Sequence, residues 1–193
     1  MADFPKFVLM VQPMSYQGAV WQAILRSQDI SVIWESPDVD LADSFSRMQA
    51  AQIALPDLLL MDTRVQKFNP YSICRWSRKS CPDLKILLIN GAQKEIAPSE
   101  REWAILQGAM DLLPRFQRDR LMSGAVDRIQ RALELLEAPD LNSKALVAAL
   151  LKLSRGEEIS SNGANPSRQR KQQPLQLLDY PVSKASSAPH DSE

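Results

Sequence analysis

The chain has 193 residues, of which 45% are hydrophobic and 24% charged, and its 23 Lys and Arg balance its 23 Asp and Glu. This length suits one well-buried domain with a short extension, and the lack of net positive charge argues against a chain that as a whole coats nucleic acid. The two cysteines, Cys74 and Cys81, are too few for a disulfide framework or a four-ligand zinc site. The only histidine is His190, near the end of the sequence, which excludes most hydrolase chemistries.

The hydropathy pattern indicates neither a secretory signal nor a membrane-spanning helix. The apolar run Phe7–Val11 is too short for the core of a secretory signal, and it follows Pro5 and Lys6. No stretch approaches the roughly 18 consecutive apolar residues of a membrane-spanning helix. We therefore expect a cytoplasmic protein with reduced cysteines and without a membrane span.

Five apolar runs predict strands. Three of them, Phe7–Val11, Leu58–Met61 and Ile86–Ile89, are continuous, as is typical of strands buried on both faces of a parallel sheet. Two weaker candidates are Ile30–Trp34 and Asp111–Leu113. Segments with apolar residues at helical spacing separate these runs, so strand and helix alternate along the chain. Right-handed crossovers then give a doubly wound α/β sandwich, with functional residues just after the strands.

Two pairs of residues predict where helices begin. Asn69 precedes Pro70, which is typical of an N-cap followed by proline at the first helical position. Ser99 and Glu102 have the spacing of a capping box, so we expect another helix to begin at Ser99. Behind the fifth strand, residues 117–138 have an apolar stripe that predicts a long amphipathic helix.

Composition divides the chain into three parts. Residues 1–138 form the predicted α/β domain, and residues 139–154 contain one further short helix. Residues 155–193 are rich in Ser, Asn, Gln, Pro and Gly with few aliphatic residues, which predicts a disordered tail. One additional helix is too little for a helix-turn-helix, so we expect no direct contact with DNA.

Four segments together resemble the receiver domain of two-component response regulators. They are Phe7–Val11, Pro56–Asp62, Leu84–Ile89 and Gly108–Arg115, and the last is similar to the family's Gly-Ala-x-Asp-Tyr-Leu-x-Lys segment. The resemblance extends over residues 6–137. It implies a flavodoxin-like, doubly wound five-stranded parallel sheet, followed here by a short helix and a disordered tail.

The resemblance implies a phosphorylation site that is only partly retained. Asp62 lies at the position of the family's phospho-acceptor, but Gln12 and Pro13 replace the acidic pair after the first strand. Asn90 stands at the Ser or Thr position and Arg115 at the Lys position. An acyl phosphate forms where Mg²⁺ neutralises the incoming phosphoryl group, and Mg²⁺ takes carboxylate ligands. We therefore expect a degenerate, pseudo-receiver site without a cofactor, at which Mg²⁺ lacks its main electrostatic attraction.

Two interpretations of Asp62 stay open. In one the carboxylate is structural and is tied by Arg115; in the other it still accepts phosphate. No other carboxylate restores the metal site, because Asp57 lies roughly 16 Å upstream on the opposite face of the same strand. Glu35 ends the second strand, which the expected strand order places about 10 Å away.

The loop after Asp62 adds two basic residues, Arg64 and Lys67. The family usually has a proline and a glycine in this stretch, so the resemblance assigns neither cation a role. They either recruit an acidic partner or belong to a solvated surface loop.

The resemblance also implies a docking face. Receivers usually dimerise or bind partners through the last strand, the helix before it and the long helix after it. The residues assigned to this face are Trp103, Leu106, Phe116, Arg118, Arg120 and Asp127. An amphipathic helix must also bury one stripe in its own core, so a purely structural role fits the same residues.

The predicted tail contains one apolar island, residues 174–181, which follows the basic residues 168–171. Its apolar members are Leu175, Leu177, Leu178 and Tyr180. Apolar residues in a solvating segment suggest a short motif that orders on the groove or sheet edge of a partner, with chance clustering as the alternative.

These features favour a non-catalytic signalling adaptor that acts by protein–protein interaction through its pseudo-receiver domain and its tail. The expected partner is another protein, such as a sensor kinase, a regulator or an assembly partner, or a second copy of the chain. The first alternative is a phosphorylatable single-domain response regulator with Asp62 as acceptor. The second is a flavodoxin-like binder of a nucleotide or flavin, against which residues 12–18 lack the Gly-rich character of a phosphate cradle.

Overall fold

Five parallel strands form the centre of the molecule, for which a computed structural model describes residues 6–13 and 15–155. The strands are β1 (Phe7–Val11), β2 (Ser31–Glu35), β3 (Leu58–Asp62), β4 (Lys85–Asn90) and β5 (Asp111–Pro114). Their order in the sheet is β2-β1-β3-β4-β5. This doubly wound arrangement confirms the fold class predicted from the apolar runs.

Six helices connect and cover the strands. They are α1 (Tyr16–Arg26), α2 (Leu41–Ala50), α3 (Pro70–Ser80), α4 (Pro98–Gln107), α5 (Leu121–Leu136) and α6 (Ser143–Ser154). A short 3₁₀ turn, Arg118–Arg120, precedes α5, so the predicted helix 117–138 is a turn followed by a shorter helix. None of the helices in the described part of the chain is long and apolar enough to cross a membrane.

The central strands are buried on both faces because two separate apolar clusters sandwich the sheet. Alternate residues of β3 point to opposite sides: Leu58 and Leu60 join the cluster beneath α1, α5 and α6, whereas Leu59 and Met61 join the cluster beneath α2, α3 and α4. A strand covered twice needs apolar residues at every position, which explains the continuous runs in the sequence.

The ends of the helices show which local signals decide the boundaries. The side chain of Asn69 accepts a hydrogen bond from the N–H of Tyr71, and Pro70 begins α3, as predicted. The prediction for α4 is wrong by one or two residues: the helix begins at Pro98, and its N-cap, Ala97, makes no side-chain hydrogen bond. Pro98 presets a helical φ, which places the predicted cap Ser99 inside the first turn.

Helix α6 extends the α/β core. Leu146 and Leu150 are 2% exposed and belong to the same apolar cluster as α1 and α5. The Gln28 side chain accepts a hydrogen bond from the N–H of Asn142 at 2.8 Å and donates one to the Asn142 carbonyl at 3.3 Å. The side chain of Asn142 also accepts from the N–H of Ala145. Residues 156–193, which include the tail island at 174–181, lie outside the described residues.

Candidate functional site

The residues singled out at the strand ends lie along one edge of the sheet. Gln12 directly follows β1, whose last residue, Val11, pairs with Met61 of β3. Asp62 ends β3 opposite Ile89 of β4. Because strands in a sheet lie about 4.8 Å apart, the backbones of Gln12 and Asp62 are neighbours at this edge.

Asp62 is fully buried and is paired with Arg64 of the following loop. The Arg64 Nη2 lies 2.7 Å from Oδ2 of Asp62, and Nε lies 3.0 Å from Oδ1. The backbone N–H of Arg64 also donates to Oδ1 at 2.9 Å. The Arg64 side chain remains 39% exposed, whereas that of Asp62 is 0% exposed. The hydrogen bond to Asp62 raises the pKa of Arg64 above its usual value, despite partial burial.

Gly91, just after β4, leaves room for this ion pair. A Cβ atom at Gly91 would lie 2.5 Å from Oδ2 of Asp62 and would also collide with the guanidinium of Arg64. The N–H of Thr63 donates to the Ile89 carbonyl at 2.8 Å, which holds the loop against β4. The guanidinium therefore fills the space beside the carboxylate, between the two strand ends.

The side chain of Gln12 is buried beside this pair without a hydrogen-bond partner. It is 0% exposed, and among the described residues neither its Oε1 nor its Nε2 has a partner. Its backbone carbonyl accepts a hydrogen bond from the indole N–H of Trp34 at 3.0 Å. Neither this neutral amide nor the neighbouring Pro13 brings a negative charge to the edge of the sheet.

Neither Asn90 nor Arg115 makes a hydrogen bond to Asp62. The Asn90 carbonyl oxygen accepts from the N–H groups of Ala92 and Gln93, and its amide donates to Glu100 at 3.3 Å. Arg115 makes no hydrogen bond to Asp62, and its Nε lacks a partner in the described part of the chain. The expected tie between Arg115 and Asp62 is therefore wrong, because Arg64 already donates to both carboxylate oxygens.

The two remaining candidate carboxylates, Asp57 and Glu35, lie away from the carboxyl end of β3, although Asp57 precedes this strand and is not part of it as predicted. Asp57 accepts from the N–H of Phe7 at 2.8 Å and lies 3.6 Å from Lys6, before β3 begins and hence away from its carboxyl end. Glu35 ends β2, with β1 between it and β3. Among residues 6–13 and 15–155, no group of three or more His, Cys, Asp or Glu side chains is placed to hold a metal ion.

The predicted docking face divides into residues with different environments. Trp103 and Leu106 of α4 are 46% and 71% exposed, but Phe116 is only 1% exposed. Phe116 is therefore wrong as a docking residue: its ring packs 5.1 Å from that of Trp21 in the core. Its backbone N–H and carbonyl are both bound by the side chain of Gln17.

The charged members of that predicted face lie on other elements. Arg118 and Arg120 are exposed in the 3₁₀ turn before α5, and Asp127 is exposed on α5. The guanidinium of Arg118 lies 4.7 Å from the centre of the Tyr16 ring, towards α1. These three side chains belong to a surface that is distinct from the exposed part of α4.

A buried carboxylate joins α4, β5 and α5. Asp111 accepts from Nε and Nη2 of Arg101, both at 2.6 Å, and from Nε of Arg131 at 2.8 Å. Burial alone would raise the pKa of Asp111, but the hydrogen bonds from Arg101, the N–H of Leu112 and Arg131 outweigh it and lower that pKa. The sequence does not predict this network, because the only sign of it is the spacing of ten residues between Arg101 and Asp111, which lie on either side of a turn.

The two cysteines are unsuited to catalysis. Cys74 and Cys81 are free and buried. Burial raises the pKa of Cys74 to about 12, so its thiolate is scarce at neutral pH.

Comparison with known proteins identifies the fold. No family model matches the chain, and no curated protein matches it. The structure is similar to that of a response regulator receiver protein from Burkholderia phymatum, with 21% identity and a TM-score of 0.51 over 69% of this chain and 97% of that one.

Two further similar structures have lower scores. The signal receiver domain of NarL from Mycobacterium tuberculosis shows 20% identity and a TM-score of 0.44 over 79% of this chain and 98% of that one. The receiver domain of Francisella response regulator 1452 shows 11% identity and a TM-score of 0.49 over 69% and 97% of the two chains. The fold of this chain is that of a response-regulator receiver domain, as the sequence resemblance implies.

We expect Arg64→Ala to lower the free energy of unfolding by about 1–3 kcal/mol, because it leaves the buried Asp62 charge unpaired. The partial exposure of Arg64 keeps the loss below that of a fully buried pair. In an Asp62→Asn background the same substitution should cost little, and urea denaturation of the double-mutant cycle measures the coupling.

Lys67→Ala is the matched control, since Lys67 forms only an exposed pair with Asp38 at 3.6 Å. Its expected effect is within about 0.5 kcal/mol. Equal losses from Arg64→Ala in both backgrounds would show that the pair is energetically irrelevant.

A second prediction concerns how the stability contributed by Asp111 depends on pH. The pKa of Asp111 is lowered in the folded state, so its stabilising contribution is present above its unfolded pKa, ~3.9, and is lost as pH falls through the folded value. Asp111→Asn should therefore lower the melting temperature at pH 7, and the gap from the wild type should narrow below pH ~4. Calorimetry between pH 7 and pH 2.5 tests this. A gap that does not depend on pH would contradict the ionic role.

Proposed function

We propose that this chain is a non-catalytic signalling adaptor, a pseudo-receiver that binds other proteins without being switched by phosphorylation. The observation that supports this most strongly is the Asp62–Arg64 pair. The carboxylate at the phospho-acceptor position of the fold already has an internal cation bound to both of its oxygens.

The chemistry of aspartyl phosphorylation explains why this pairing matters. A carboxylate oxygen attacks the phosphoryl group with a free lone pair, while a metal ion offsets the charge of the incoming oxygens. Here Arg64 supplies a fixed positive charge at the carboxylate, and its guanidinium occupies the adjoining space. Gln12 and Pro13 contribute no charge with which to hold Mg²⁺.

One observation favours the second candidate, a phospho-switched single-domain regulator. Arg64 lies in an exposed loop, and 39% of its side-chain surface is accessible. Rotation of this side chain into solvent would release Oδ2 of Asp62 and would leave Oδ1 bound only by the backbone N–H of Arg64. The two candidates therefore differ in whether the ion pair yields to an incoming phosphoryl group.

The exposed surface of α4 is the docking surface that we assign to the adaptor. Trp103, Ile105 and Leu106 of α4 and Met110 after it are 42–71% exposed, which is unusual for four large apolar side chains so close in sequence. The ionic network around Asp111 fixes this helix against β5 and α5. A rigid apolar surface suits a protein partner such as a sensor kinase, a regulator, an assembly partner or a second copy of the chain.

The apolar island of residues 174–181 is a second proposed contact. Leu175, Leu177, Leu178 and Tyr180 would supply the apolar anchors of a short linear motif. It lies outside the described residues, so its support is the sequence pattern alone.

We expect no saturable response when Mg²⁺ and beryllofluoride, a phosphoryl mimic, are titrated into the protein. The amide resonances of residues 62–64 and of Gly91 report on the site by NMR, and Asp62→Asn is the control. Saturable shifts that disappear in Asp62→Asn would instead establish the phospho-switched regulator.

A partner that binds through α4 should bind the wild type but not the Leu106→Glu variant, because the substitution places a charge in an apolar contact. Affinity capture from a lysate of the encoding organism, with quantitative mass spectrometry, compares this full-length variant with the wild type. Glu102→Gln, on the same exposed helix, is the control. A parallel Leu177→Asp variant tests the island. Identical protein sets from the wild type and both variants would contradict the adaptor proposal.

A further inference from the structure

Helix α6 lies firmly on the domain but leaves apolar side chains uncovered. One stripe, with Leu146 and Leu150, is buried against the core. On the next stripe, Val147 and Leu151 are 40% and 47% exposed. The hydrogen bonds between Gln28 and Asn142 fix the start of the helix, so the uncovered stripe does not result from loose packing.

A groove of about 410 Å³ runs between this stripe and the beginning of α5. Its apolar lining comes from Leu121 and Met122 of α5 and from Leu150 and Leu151 of α6. Met122 is 44% exposed, so side chains from both helices present apolar surface to the same concavity. Two facing helices with apolar flanks are the usual receptor for a third helix.

The charged side chains that line the groove are two arginines and one aspartate. Arg118 and Arg120 line it at one end, and among the described residues neither forms a salt bridge. Lys152 and Arg155 are also exposed at the carboxyl end of α6, but they lie outside the lining of the groove. Asp119 is the one acidic residue in the described lining.

We propose that this groove binds an acidic amphipathic helix from a partner protein. The apolar face of such a helix would cover Met122, Val147 and Leu151, and its carboxylates would face Arg118 and Arg120. On α6 the lining runs from Leu150 to Ser154, about 6 Å along the helix axis, which matches contact with about one turn of a ligand helix. The proposal does not depend on the state of Asp62 or on the docking surface of α4.

The shape and charge of the groove favour an acidic helix over a membrane surface. A bilayer surface is broad and cannot enter a concavity between two helices, whereas a helix presents a ridge of side chains at i, i+3 and i+4. Carboxylates at the ligand's flanks would complement Arg118 and Arg120, the two cations of the lining, which outnumber its one carboxylate, Asp119.

The test is selection of binders to the full-length protein from a displayed library of random 16-residue peptides. We expect enriched sequences to combine Asp or Glu with Leu or Phe at helical spacing. In fluorescence anisotropy, Leu151→Glu and Met122→Glu should each weaken peptide binding about tenfold or more. The double variant Arg118→Gln/Arg120→Gln should weaken binding less and should reduce its dependence on salt.

Two controls separate the groove from other surfaces. Leu106→Glu changes a leucine on α4 that is more exposed than Leu151, and Lys94→Gln removes an exposed charge before α4; neither should alter peptide binding. Thermal melting confirms that each variant is folded. Leu106 belongs to the proposed docking surface of α4, so Leu106→Glu tests that surface and Leu151→Glu tests the groove. Either proposal can therefore be contradicted without the other.

Three outcomes would overturn the proposal. The first is the absence of enriched acidic peptides, or binding that Leu151→Glu and Met122→Glu leave unchanged. The second is that the protein sediments with anionic phosphatidylserine vesicles and that Leu151→Glu abolishes this binding, which would make the groove a lipid contact. The third is a dimer in sedimentation velocity that the same variant dissociates, which would make the occupant a second copy of this chain.

Discussion

The buried charge of Asp62 is the constraint on which the functional edge of the sheet depends. A carboxylate with no exposed surface at the end of the central strand must be paired, because an isolated buried charge costs several kcal/mol. In this chain the partner is a guanidinium from the adjacent loop. Pairing by Arg64 in turn accounts for the glycine at position 91 and leaves the side chain of Asn90 to bind Glu100 and the N–H groups of Ala92 and Gln93.

The central strands of the sheet could be predicted from the sequence, because burial on both faces requires continuous apolar runs. Phe7–Val11 matches β1, while Leu58–Met61 and Ile86–Ile89 fall one residue short of the carboxyl ends of β3 and β4, and β4 also begins one residue earlier, at Lys85. The residues missing at the carboxyl ends, Asp62 and Asn90, are polar. Hydropathy therefore predicts the buried part of each strand but not its last residue, which lies at the edge of the candidate site.

Other features depended on geometry that a linear pattern does not contain. The Asp62–Arg64 pair requires the turn after β3 to bring positions i and i+2 together, and Arg64 alone is indistinguishable from a solvated cation. Phe116 is apolar and follows β5, but only the position of Trp21 shows that it faces the core. For the same reason, the predicted docking face separates into the surface of α4 and the rim of a groove made by α6.

The two residues of the ion pair are separated by a single residue, Thr63, and this short sequence distance bears on how the protein folds. Contacts between distant segments form late, because closing long loops is entropically costly, whereas a pair within one turn forms as soon as that turn is ordered. Asp62 therefore needs only the turn after β3, and no contact with β4, to acquire its counter-charge. A partly folded chain can bury the end of its central strand without waiting for the rest of the sheet, so the charge adds little to the folding barrier.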